Sequence, residues 1–97
     1  MADTNDILLW LNHEIFLFCN HDIDFSGLRQ GIIFIESELE DMTNDNDIIY
    51  KHIVYVINAI SEFEHTPTVG QIHNIQHIAN TKYPIAKHGR KVTRNVT

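Results

Sequence analysis

The chain has 97 residues, with thirteen acids against seven lysines and arginines and a formal net charge of −6. That length supports one domain with a modest core, and 43% hydrophobic with 21% charged residues is a folded, soluble composition that excludes intrinsic disorder. The single cysteine excludes an internal disulfide, and the longest apolar run, "ILLWL", is followed by Asn12, well short of the ~20 residues a membrane span needs.

The start, "MADTND", is acidic and lacks the cationic segment of a signal peptide, so a cytoplasmic location is expected. Ile7, Leu8, Leu11, Ile15 and Phe18 then recur at helical spacing. Asp3 or Thr4 can cap this helix, and Asp6 sits where the helix dipole favours a negative charge. Leu9, Trp10, Phe16 and Leu17 lie off the stripe, so the helix is apolar over most of its circumference. In a small domain a second apolar face implies another chain, and a homodimer through this helix is expected. Cys19, in "IFLFC", reads as a buried and inert thiol.

"NHDIDFSG" breaks the pattern with turn-forming residues. Leu28, Ile32, Ile35, Leu39 and Met42 carry a second stripe, with Gly31 inside it. "TNDND" is the next loop, with Asp45 or Asp47 as the cap of a third helix striped by Ile49, Ile53, Val56, Ile60 and Phe63. The β-branched and aromatic content of "IIYKHIVYVINAI" also fits a strand, but strict alternation fails while the helical spacing persists for four turns. After "HTPT", Thr68 caps a fourth helix striped by Val69, Ile72, Ile75 and Ala79, which stops before Pro84. The expected architecture is all-α: a small four-helix bundle over residues 1–84, then a basic, partly disordered C-terminal tail over 85–97.

Charge divides this chain sharply. Up to residue 66, thirteen acids against Arg29 and Lys51 leave −11; beyond it, five cations and no acid give +5. Six carboxylates fall within "ESELEDMTNDND", and Glu36, Glu38, Glu40, Asp41, Asp45 and Asp47 are the candidate partner-binding residues. Asp45 and Asp47 suit a helix N-terminus, whereas Glu38, Glu40 and Asp41 crowd a helix C-terminus, where the dipole opposes them. Glu36 and Glu40 add a like-charge pair at i,i+4. The local penalty is offset if cations from a basic protein dock there, or if the chain's own tail or a second copy supplies them.

Metal and catalytic motifs are weak. "DIDFSG" starts like a calcium loop, but the twelfth position is Ile33 where a bidentate glutamate is needed. His73 and His77 are spaced i,i+4, too few for a metal site, and no phosphate loop, nucleophile elbow or HExxH occurs. No cofactor is implied. Protonating all seven histidines would move the formal charge from −6 to +1, so electrostatic association is expected to vary with pH between about 5 and 7.

The expected function is that of a small, acidic, non-enzymatic protein-binding module. It would act as an inhibitor or regulator of immunity, antagonist or phage host-takeover type through its carboxylates. Its basic partner would be a nucleic-acid-binding protein, with the carboxylates imitating a phosphate backbone. The alternative is a nucleic-acid-associated regulator binding DNA or RNA through Lys87, Arg90, Lys91 and Arg94, with Gln71, Asn74 and His77 on the polar face of the fourth helix.

Overall fold

The computed structural model describes residues 3–42 and 47–85. Within them the chain is all-α, and no strand occurs among the described residues. The helices are α1 (Thr4–Cys19), α2 (Phe25–Leu39), α3 (Ile48–Ser61) and α4 (Val69–Lys82). The expected tail lies outside the described residues beyond Ile85.

Each helix starts on a side chain that satisfies an otherwise orphaned amide. Asp3 accepts from the amide of Asp6 at 3.0 Å while Asp6 reaches back to the amide of Asp3, a reciprocal capping box. Thr68 and Gln71 form the same box on α4. Asp24, within the expected loop, caps α2 through the amide of Gly27 at 2.9 Å. Asp47 caps α3 through the amide of Ile49 at 2.8 Å. α1 ends in a Schellman motif: Asp22 donates to the carbonyl of Leu17 and His21 to that of Phe18. His21 is left-handed there, with φ of 66°, a position usually filled by glycine.

α1 packs on both α2 and α3, and α4 packs on α3. The buried residues follow the expected stripes: Ile7, Leu11, Ile15 and Phe18 on α1, Leu28, Ile32, Ile35 and Leu39 on α2, Ile53, Val56 and Ile60 on α3, and Ile72, Ile75 and Ala79 on α4. Each fully buried aliphatic side chain contributes about 1.5–3 kcal/mol. Ile57 and His52 are buried as well, because α3 is sandwiched between α1 and α4 and so needs two inward faces. Cys19 is half-buried, not the fully buried thiol expected, because it lies beside the last core position of α1, Phe18.

Arg29 ties α2 to the end of α3. Its guanidinium donates to the carbonyl of Phe63 at 3.0 Å and to that of Ser61 at 3.5 Å, and lies 5.0 Å from the centre of the Phe25 ring. These are the last carbonyls of a helix, where a cation also complements the dipole. One of the two cations of the acidic segment is therefore engaged with backbone and aromatic groups. No helix among the described residues is long and apolar enough to cross a membrane.

Candidate functional site

The last turns of α2 and the first three turns of α3 flank a groove of about 270 Å³, lined by Glu36, Leu39, Glu40, Tyr50, Val54, Ile57 and Asn58. Its floor is apolar because Leu39 and Ile57 are core residues whose side chains reach the gap between the helices. Its α2 rim is anionic because Glu36 and Glu40, four residues apart, share one helix face. Tyr50 and Asn58 give the α3 rim polar tips.

The six candidate carboxylates do not form one surface. Glu36 and Glu40 line the groove, both exposed. Glu38, offset by about half a turn of helix, is half-buried on another side of α2, and Asp41 is exposed beyond the helix end. Asp47 is engaged by the fold: one oxygen caps α3, and the other accepts from the hydroxyl of Thr4 at 2.6 Å. Asp45 lies outside the described residues, as do Lys87, Arg90, Lys91 and Arg94. Among the described residues, the side chains of Glu36, Glu38, Glu40 and Asp41 take no hydrogen bond or ion pair.

A groove of mixed polar and apolar lining with two carboxylates at its rim has the chemistry to hold a lysine or arginine side chain. The aliphatic stem would lie on Leu39, Val54 and Ile57 while the charged head sits between Glu36 and Glu40. The groove holds no nucleophile and no histidine, and no cluster of three or more metal-ligating side chains occurs among the described residues. His73 and His77 are exposed on α4. Gln71, placed on a nucleic-acid-reading face by the alternative, has its carboxamide oxygen engaged by the Thr68 amide at 2.8 Å.

Two features escaped the sequence reading. The groove's α3 wall uses Tyr50, Val54 and Asn58, which lie off the buried stripe and are not among the candidate residues of the sequence. The second apolar face is not confined to α1: the ring of Trp10 lies 5.8 Å from that of Phe34 on α2, centre to centre. Adjacent apolar residues at 33 and 34, outside the α2 stripe, were the available signal. No protein-family model, curated protein or solved structure matches this chain.

Proposed function

We propose that this protein is a small, acidic, non-enzymatic module that inhibits or regulates a basic partner protein by docking the partner's lysine or arginine side chains into the α2–α3 groove. The observation that carries this reading is the pair Glu36 and Glu40, unpaired among the described residues and set above an apolar floor. Isolated surface carboxylates would serve solubility equally well, but the half-buried Tyr50 and Val54 beside this pair give the stem of a lysine or arginine something to pack on. The surplus of −11 over residues 1–66 steers a cationic partner and raises its association rate. A partner whose own site binds nucleic acid carries the cation density this groove accepts, so occupying it would block nucleic acid from that site. A second copy of the chain pairs through α1, leaving the groove free for the partner.

The test is titration calorimetry of the full chain with arginine- and lysine-containing peptides. Glu36→Gln/Glu40→Gln is compared with Glu62→Gln/Glu64→Gln, which removes the same charge elsewhere. The groove pair is expected to weaken binding about tenfold or more and the control pair by much less, since exposed charges away from a contact contribute little. Equal losses would reduce the effect to net charge and remove the groove from the account.

A further inference from the structure

Five large apolar side chains on α1 and α2 stand in solvent: Leu9 at 65% exposure, Trp10 at 39%, Phe16 at 58%, Ile33 at 63% and Phe34 at 55%. Four of them form one face. Leu9 and Phe16 are seven residues apart and so stacked on the same side of α1, with His13 between them; Trp10 continues that face to Phe34 across the helix boundary. Ile33 is rotated by about 100° around α2 and lies outside it.

We infer that this two-helix face is a self-complementary surface for a second copy of the chain, with Phe16 of each copy seated in a notch beside Gly31 of the other. The inference rests on the reading that α1 pairs two copies, and extends it to α2 and to a specific socket. The notch, of about 220 Å³, is lined by Trp10, His13, Glu14, Gly31, Phe34 and Ile35. A cavity of roughly 150 Å³ accepts a benzene ring, so one phenyl side chain fits. Gly31 shapes one wall: the Glu14 side chain packs directly over it, so that a β-carbon there would lie 2.8 Å from the Glu14 carboxyl carbon, and the open part of the notch lies beside that pair. A two-fold interface needs the knob and the socket on the same surface, which this face provides.

Charge selects the occupant. Two copies of so acidic a body repel one another except where carboxylates are absent. Between Ile7 and His21 the only acid is Glu14, and its half-buried side chain folds over Gly31 toward α2. Asp6 borders the face one turn before Leu9 and Trp10 but is tied into the α1 capping box, and Glu14 is folded against α2. The centre of the face therefore offers a basic partner little to pair with, and a second copy can approach it there. The area is also suitable. Four half-exposed large side chains offer roughly 400 Å² of apolar surface, close to the roughly 450 Å² of non-polar area within a standard interface of ~800 Å² per partner. The acidic groove opens on the α3 side of α2, so the dimer would present two grooves at once.

The experiment is sedimentation equilibrium of the full chain, with Phe16→Glu, Phe34→Glu and Ile33→Glu as single variants and circular dichroism as a check of fold. The wild type is expected to be a dimer. Phe16→Glu and Phe34→Glu should each weaken it about a hundredfold or more, because each buries an unpaired charge at the contact, and Ile33→Glu should leave it nearly unchanged. A wild type that is monomeric overturns the pairing itself. A dimer lost in Phe16→Glu but kept in Phe34→Glu overturns the two-helix face and leaves pairing through α1 alone. None of these results depends on whether the groove binds basic peptides.

Discussion

The hydroxyl of Thr4 donates to the second carboxylate oxygen of Asp47 at 2.6 Å, joining the first turn of α1 to the cap of α3 across 43 residues of sequence. The first oxygen of Asp47 already holds the amide of Ile49, so one side chain starts α3 and fixes it against α1. Thr4 is itself buried. Replacing Asp47 with Ala is expected to remove the cap and the link together, at about 2–3 kcal/mol. Thr4→Val keeps the cap and should cost about 1 kcal/mol. A double-mutant cycle by thermal unfolding should return a coupling of about 1 kcal/mol; additive losses would mean the two side chains act independently.

His21 carries the strain at the end of α1. A left-handed backbone costs a β-carbon-bearing residue roughly 1–2 kcal/mol, partly offset here by the Schellman bonds of His21 and Asp22. His21→Gly is expected to stabilise the fold by about 0.5–1 kcal/mol, raising Tm by roughly 2–8 °C in a domain of this size. His21→Val should do the opposite. A glycine variant that melts lower than the wild type would show that the imidazole makes a compensating contact.

The helices were legible because their stripes are long and their caps are of the right residue types at the right spacing. Thr68 sits one residue before a periodic run, Asp47 two and Asp3 four; each caps its helix, Asp3 where Thr4 is the alternative and Asp47 where Asp45 is. Asp24 was missed as a cap because "NHDIDFSG" is dense in turn-forming residues, and nothing local marks which aspartate begins the helix. Nothing in the sequence sets His52 apart from the other six histidines, yet it is 5% exposed, because burial on α3 depends on where α4 crosses it. The candidate site was legible in chemistry but not in geometry. The run of carboxylates is plain in the sequence, whereas the separation of Glu36 and Glu40 from Glu38, and the use of Asp47 by the fold, depend on helix phase and on a contact 43 residues away.

His52 holds the end of α4. Its Nδ1 lies 3.1 Å from the carbonyl of Tyr83, and since a carbonyl only accepts, the proton is on Nδ1. The Tyr83 ring packs 6.4 Å from that of Tyr55, with Lys82 5.4 Å from the centre of the Tyr55 ring. His52→Leu keeps apolar volume but leaves the carbonyl unsatisfied, and is expected to cost about 1–3 kcal/mol and loosen α4 first. Hydrogen exchange should show the amides of α4 losing more protection than those of α1. Uniform loss would mean that α4 opens only with the whole fold.

Partial burial at the end of α1 raises the pKa of the Cys19 thiol by desolvating the thiolate. The native state therefore favours the neutral thiol, and the unfolded chain ionises at lower pH. Cys19 contributes stability that is fully present below the unfolded thiol's pKa and is lost as pH rises through the folded value. Near pH 8 iodoacetamide is expected to alkylate Cys19 several-fold more slowly in the folded protein than in urea. Equal rates would mean that the thiol is as accessible and as acidic as one in an unfolded chain.

Glu36 and Glu40 should show stability and binding moving in opposite directions. They are like charges one helical turn apart near the C-terminal end of α2, where the dipole also opposes them, and both terms fall when they become glutamine. Glu36→Gln/Glu40→Gln is expected to melt slightly higher than the wild type at low salt, by a fraction of a kcal/mol. The gap should narrow at molar salt, where the screening length shrinks to about 3 Å. The same variant should lose affinity for cationic peptides. A gain in stability with undiminished binding would make the two glutamates a tolerated solubility feature. A loss of stability would show that they make a favourable contact within the fold. Only a more stable protein that binds less well matches carboxylates kept against a local penalty for a cationic partner.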